Sequence, residues 1–449
     1  MTSSAKSEFE RAVAGAMEHQ RAGRLSEAEA AYRAALAIVP RHAAATQNLG
    51  VVIAAQGDHR AAIDCFDRAI AIEPHYAAAH YNRGIACAAL ADAASAIQCF
   101  SRACAIEPGH YGAHRALAFL WLAEGGRGRS LDHFARTYEL RRGEDQTGIA
   151  ARSLVETTRI KLRHDAEQFR YLAARRRDSA RFEALALVYE TIANNAGEEP
   201  APLSAHQHEA LGSDYNTAIH IASAPEIPGG AINERPDHAV LVRRFGEGQS
   251  GVVFFDDLLT PRALQLLRQY LLESTIWHDF SHIGGFVASY LEDGLACPLV
   301  LQIADELRRA LPELLGAYPL TQAWAFKAVE PSAAVDVHAD DAAVSVNFWV
   351  TPTEANLNPS GGGLTVCRVP PPADWRIQDY DADQRRIVSF LEQNAGDALV
   401  VPYRQNRAVL FESRLFHHSD APEFDKSYEN HRINVTLLFG RHGAREAGR

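Results

Sequence analysis

Residues 28–40 read AEAAYRAALAIVP, residues 62–74 AIDCFDRAIAIEP and residues 96–108 AIQCFSRACAIEP. The prolines that close these stretches, Pro40, Pro74 and Pro108, stand 34 residues apart. The trios Ala28/Tyr32/Ala35, Ala62/Phe66/Ala69 and Ala96/Phe100/Ala103 keep one spacing relative to them, and Leu49-Gly50 and Arg83-Gly84 recur at the matching place upstream. Small residues let two antiparallel helices approach, the aromatic fills the gap between them, and proline ends the second helix. A fourth, weaker copy keeps Leu117 and Phe134 but has Ser130 and Thr137 where the others have alanine, as expected of a capping unit.

This pattern resembles the tetratricopeptide repeat. The resemblance implies an all-α solenoid over residues 1–142 whose concave surface holds a peptide or partner protein, with self-association or the capping of a neighbouring domain as the alternatives.

The remaining composition bounds the function. With 45 basic and 56 acidic residues the net charge is −11, which disfavours broad attraction to nucleic acid or an anionic membrane. The N-terminus MTSSAKSEFERAVAG lacks the apolar core of a secretory leader, and no run of 18 apolar residues occurs. The six cysteines include no CxxC pair, and four lie in the Ala-rich repeats. They read as reduced core residues, which points to the cytoplasm.

Residues 143–236 read as a helical connector and linker. Arg175-Arg176-Arg177 is taken as a solvated helix face, and the Pro/Gly-rich 197–207 and 224–237 as irregular chain. From 237 to 449 the texture turns to short β-type runs preceded by amphipathic helices: QAWAFKAVE, AVSVNFWVT, GGLTVCRV, DALVVPY, NRAVLFES and RINVTLLFG. An α+β multidomain chain follows, its second part a jelly-roll or double-stranded β-helix with packing helices.

His338-Ala339-Asp340 lies at the end of one apparent strand, with His417 79 residues after His338 and Arg432 a further 15 on. Side chains at i and i+2 of a strand share a face, so His338 and Asp340 can hold one metal, and His417 closes a triad from a distant strand. Two imidazoles and a carboxylate on one side of non-haem iron(II) leave positions for a bidentate co-substrate and oxygen. A second His-x-Asp, His418-Ser419-Asp420, has no suitably spaced histidine downstream. Arg432 offers a planar, permanently charged partner to a carboxylate. On its strand Asn434 and Thr436 share that face, while Asn347 shares a face with Ser345 and Trp349. Tyr403 and Arg404 are supporting candidates for the pocket wall, and Gly361-Gly362-Gly363 reads as a turn into a strand.

The segments WAFKAVEPSAAVDVHADDAAVSVNFWVTPTEANLNPSGGGLTV, VPYRQNRAVLFESRLFHHSDAPEF and YENHRINVTLLFG resemble the 2-oxoglutarate/iron(II) dioxygenase superfamily. They are particularly similar to bacterial proteins that join such a domain to tetratricopeptide repeats. The resemblance implies metal ligation and catalysis by His338, Asp340 and His417, with co-substrate binding by Arg432; strand alternation adds Asn347 and Thr436 as expected further contacts to the co-substrate. It implies a requirement for iron(II), 2-oxoglutarate and oxygen, with ascorbate as a stimulant. The expected reaction hydroxylates a protein or peptide side chain recruited by the repeats; Asp340 fills the position a halide would need, which argues against halogenation. The alternatives are a non-catalytic repeat scaffold with a degenerate barrel, a small-molecule hydroxylase, and another metal enzyme on a cupin-like barrel.

Overall fold

Proline disfavours helical backbone in the residue before it, and the helices stop accordingly. The computed structural model describes residues 3–142, 154–234, 238–246, 251–281, 285–330, 335–372, 375, 384–393, 397–419 and 421–441. Helices α1 (Ser3–Arg21) and α2 (Leu25–Ile38) are followed by α3 (Ala43–Ala55), α4 (His59–Ile72), α5 (Ala77–Ala89), α6 (Ala93–Ile106), α7 (Tyr111–Ala123) and α8 (Arg127–Arg142). Thus α2, α4 and α6 each end two residues before their proline.

Every member of the three Ala/aromatic/Ala trios is buried. Two of the aromatics lie against a glycine: a Cβ on Gly50 would stand 2.7 Å from Phe66 Cε1, and one on Gly84 2.7 Å from Phe100 Cε1. In the fourth copy Ser130 and Thr137 are fully buried as well, and the Thr137 hydroxyl donates to the Phe134 carbonyl at 2.7 Å. Small size is therefore kept there, and the threonine hydroxyl is satisfied locally.

The chain divides into two compact units, Met1–Glu124 and Gly125–Arg449, so α8 belongs to the second. Within it, the Arg142 guanidinium reaches Asp293 at 2.9 Å with both side chains buried, and Arg127 pairs with Glu226 and Asp305, each at 2.8 Å.

Strands β1 (Glu156–Thr157) and β2 (Ala201–Pro202) pair with each other. Between them lie α9 (Arg159–Ala173) and α10 (Ser179–Ala193). The stretch 197–207, expected to be irregular, instead runs into α11 (Ala205–Leu211), because Ser204 and Gln207 form a capping box. The basic run also departs from expectation: it follows α9 rather than lying on a helix face. There Arg175 stacks on Tyr171, and Arg176 pairs with Asp178. After α12 (His238–Gly246) come β3 (Val252–Phe255), α13 (Pro261–Glu273), β4 (Phe286–Tyr290) and α14 (Pro298–Ala310).

The remaining strands are β5 (Leu320–Ala328), β6 (Val335–His338), β7 (Val344–Trp349), β8 (Leu364–Cys367), β9 (Ala398–Val401), β10 (Ala408–Glu412), β11 (His417–Ser419) and β12 (Ile433–Phe439), with helix α15 (Gln384–Gln393) before β9. They form a six-stranded sheet, β3-β10-β7-β12-β5-β4, and a four-stranded sheet, β6-β11-β8-β9. All pairings in both are antiparallel. Trp349, Val409 and Phe411 of the larger sheet share one core cluster with Leu364, Val366 and Val401 of the smaller, so the sheets pack face to face. Among the described residues no helix is long and apolar enough to cross a membrane.

Helix α9 packs on this β region through polar side chains. Lys161 Nζ donates to Asp165 and to the Trp277 carbonyl, each at 2.9 Å, and Gln168 donates to the carbonyls of Leu272 and Ser274. Lys327 of β5 is fully buried beside them and its Nζ makes no hydrogen bond among the described residues; it sits 3.1 Å from the centre of the Tyr428 ring. Burial pushes its ammonium well below the usual lysine range, against the opposing pull of Glu167. An apolar side chain of similar length avoids that desolvation. Lys327→Met is expected to raise unfolding stability at pH 7 by about 1–4 kcal/mol, measured by denaturant titration; a loss of stability would show that the amine is a net asset.

Two histidines in this region are held neutral by burial, His164 down to about 4 and His431 down to about 3. Because unfolded histidine takes up its proton near 6.5, the unfolded chain binds protons first as pH falls. Stability contributed by these neutral side chains is therefore present above pH 6.5 and lost progressively between 6.5 and about 3 to 4. Melting temperature followed from pH 7 to 4 should fall, and the fall should be shallower in a His164→Gln, His431→Gln double variant.

Candidate metal centre

Cross-strand pairing brings the two predicted histidines together. In the β6–β11 ladder His338 and His417 are direct partners, and their ring centres lie 4.2 Å apart. Asp340 stands two residues beyond His338, just past the strand end, where its backbone N–H donates to the Ser413 carbonyl at 2.9 Å. That bond returns the chain toward β10 and turns the carboxylate to the histidine pair. The result is a three-residue cluster whose ligand atoms lie within 4.8 Å of one another. His338 Nε2 is 3.8 Å from Asp340 Oδ1, and His417 Nε2 is 3.6 Å from Asp340 Oδ2.

The imidazoles are oriented by their own backbone. His338 Nδ1 lies 2.8 Å from the Asp336 carbonyl, and His417 Nδ1 lies 3.0 Å from the Leu415 carbonyl. A carbonyl can only accept, so Nδ1 carries a proton in both rings, which leaves Nε2 as the nitrogen available to a metal. This is the arrangement in which a metal-binding histidine is fixed by its outer partner. Asp340 Oδ2 accepts from the Ser345 hydroxyl at 2.7 Å. The His417 side chain is 6% exposed and that of Asp340 5%, against 31% for His338, so the site opens on the His338 side. Burial and the neighbouring His338 hold the His417 imidazole down to about 4 despite the opposing Asp340 carboxylate. It is therefore neutral, as a metal ligand must be.

One cavity takes in all six predicted residues: His338, Asp340, Asn347, His417, Arg432 and Thr436. Asn347 and Thr436 are register partners across β7 and β12, with Asn347 Nδ2 3.2 Å from Thr436 Oγ1. Asn347 Oδ1 is buried and has no hydrogen-bond partner among the described residues. Turning the amide over would let its oxygen accept from the threonine hydroxyl and free an NH2 group, which suits an anionic ligand.

Arg432 lies immediately before β12, one residue short of its expected place on the strand. It is buried, and its Nε donates to the Gly362 carbonyl at 2.7 Å. The glycine turn thus orients the guanidinium. A Cβ on Gly363 would stand 2.1 Å from the Val401 carbonyl oxygen, so this turn fits only glycine there.

Two supporting candidates lie elsewhere. The Tyr403 hydroxyl donates to the Thr351 carbonyl at 2.5 Å, and Arg404 pairs with Asp256 at 2.7 Å. Neither lines the cavity. The carboxylate of the second His-x-Asp, Asp420, lies outside the described residues, but His418 borders the cavity along with the aromatic Trp324 and Phe326. These aromatics follow from the alternation of β5, which also turns Lys327 to the opposite face.

Two imidazoles, one carboxylate and an adjoining cavity form a donor set that fits a divalent first-row metal with open positions, iron(II) among them. Residues 13–74 and 54–111 match the tetratricopeptide repeat family, so the helical repeats at the N-terminal end are tetratricopeptide repeats. Among solved structures the chain is similar to MamA, with 23% identity over 29% of this chain and 77% of that one, TM-score 0.29. An O-GlcNAc transferase mutant from Thermobaculum terrenum shows 25% identity over 31% and 28% of the two chains, TM-score 0.29. YrrB, a repeat protein with an unusual peptide-binding site, shows 22% identity over 29% and 66%, TM-score 0.27. No curated protein matches the chain.

The geometry distinguishes the adjacent histidines. His417→Ala should weaken binding of one divalent metal ion per chain by about 100-fold or more, whereas His418→Ala should leave it within about 10-fold. Equilibrium dialysis with cobalt(II) reads both; equal losses would remove the assignment of His417.

Proposed function

We propose that this chain is an iron(II)- and 2-oxoglutarate-dependent oxygenase acting in the cytoplasm on a protein or peptide side chain brought to it by the repeats. The observation that carries the reading is the convergence of His338, Asp340 and His417 beside a cavity that also contains Arg432, Asn347 and Thr436. The strand order supports a double-stranded β-helix: of β5 to β12, the larger sheet holds β5, β7, β10 and β12 and the smaller holds β6, β8, β9 and β11.

An iron(II) ion on the triad, with 2-oxoglutarate and oxygen as co-substrates, would supply the chemistry that puts one oxygen atom into a C–H bond and the other into succinate, with release of carbon dioxide. The protein's own part is positional. His338 and His417 hold their Nε2 lone pairs inward through Nδ1–H bonds to backbone carbonyls. Arg432 offers a buried guanidinium to a distal carboxylate, with Thr436 and the Asn347 amide as further partners. Trp324 and Phe326 line the same cavity and keep that part of its wall dry.

A protein partner is supported by an apolar ladder on the repeats. Met17, Val51, Ile85 and Phe119 stand 34 residues apart on α1, α3, α5 and α7. Met17 and Ile85 are 38% and 44% exposed, and α3 carries no charged residue. A large apolar side chain left exposed at a repeating position is a feature of binding surfaces. The six cysteines are free, which suits a reducing compartment.

Under anaerobic conditions, protein with iron(II) and 2-oxoglutarate should develop a visible charge-transfer absorption. Admitting oxygen should yield succinate, more of it with ascorbate, and His338→Ala should abolish both signals. Arg432→Gln should raise the 2-oxoglutarate concentration needed by about 10- to 100-fold, the equivalent of a lost charged hydrogen bond, without weakening metal binding. Wild-type protein that takes up iron but never 2-oxoglutarate would leave a metal site and eliminate the oxygenase.

A further inference from the structure

Behind the metal centre lies a pair of hydroxyls with one consistent arrangement of protons. Ser345 Oγ is 2.7 Å from Asp340 Oδ2 and 2.8 Å from Ser413 Oγ. Both serines are fully buried. An ionised carboxylate only accepts, so Ser345 must spend its single proton on Asp340. Its oxygen then has to accept from Ser413, whose hydroxyl becomes the outer donor. The same Ser413 accepts the Asp340 backbone N–H on its carbonyl at 2.9 Å. Asp340 is thus held from two sides by the segment that follows β10 and by β7, while among the described residues Oδ1 accepts no hydrogen bond.

We infer that Ser345, backed by Ser413, is a positioning residue for the metal centre: it pins Oδ2 of Asp340 and reserves Oδ1 for the metal. This rests on the metal-site reading above and goes beyond it. A carboxylate can bind a metal through one oxygen or both. If both oxygens turned to the metal, one of the positions needed for a co-substrate and oxygen would be lost. With Oδ2 held by a buried donor, the second mode costs that hydrogen bond. Both serines are fully buried, so bulk solvent does not compete with the hydroxyl for Oδ2.

The test uses the full chain with cobalt(II) as the metal probe, reading affinity by dialysis and coordination by the ligand-field absorption of the bound ion. Ser345→Ala should weaken cobalt(II) binding by about 10- to 100-fold, the range for removing an outer partner of a metal ligand, and change the ligand-field spectrum. Ser345→Thr, which keeps the hydroxyl, should restore both. Ser413→Ala should cause a smaller loss, since Ser345 can still donate. If Ser345→Ala does not fold, Ser345→Cys supplies the same comparison with a near-isosteric, weakly donating group. Wild-type protein that binds cobalt(II), with variants that bind it equally and with an unchanged spectrum, would overturn this inference and leave the metal site standing. Wild-type protein that binds no cobalt(II), like His338→Ala, would overturn both.

Discussion

The candidate site depends on one backbone register. His417 pairs with His338 across β11 and β6, and β11 in turn pairs with β8. Side chains alternate along a strand, so a slip of one residue would exchange His417 for His418 and remove a ligand from the cluster. Strand β11 has only three residues, too few to define register by itself. The bond from Asp340 N–H to the Ser413 carbonyl and the turn between β10 and β11 tie it to the larger sheet. The candidate ligands are therefore placed by hydrogen bonds between main chains before any side-chain preference acts.

Legibility in the sequence follows the range of the forces involved. The repeats were readable because a 34-residue period places the same helix-packing demand on each copy, down to the glycine under Phe66 and Phe100. Strands β7 and β12 were readable from apolar runs, and the i, i+2 rule united His338 with Asp340. Strand β4, FVASY, has no alternation to reveal it, and the two-residue β1 and β2 exist only through each other. Tyr403 and Arg404 were misplaced because closeness to a strand in sequence does not set the direction of a side chain. Arg404 is drawn to Asp256, 148 residues earlier. Ser345 appeared only as a neighbour of Asn347 on one face; its contact with Asp340 depends on the bend after β6, which no local pattern encodes.

The face of β5 opposite the cavity is built on a different physical basis. Trp324 and Phe326 turn toward the candidate metal centre, whereas Lys327 turns toward α9 and enters a region of buried lysine, aspartate and histidine. That region attaches a helix that precedes β5 by more than a hundred residues in sequence. Polar anchoring of this kind is directional: Lys161 reaches the carbonyl of Trp277 and Gln168 those of Leu272 and Ser274, which sets helix rotation as an apolar contact would not.

Arg142 closes the last helix of the repeat array, yet its counter-charge, Asp293, lies among the β strands, in the unit that holds the candidate metal centre. A gene rearrangement that joined this β unit to a different repeat array after residue 142 would bury an aspartate without its arginine, an expensive defect. One made before Arg127 would carry α8 along and preserve the pair. The boundary between the two units thus lies inside a repeat, and a rearrangement that keeps the charge pair must keep α8 with the β strands.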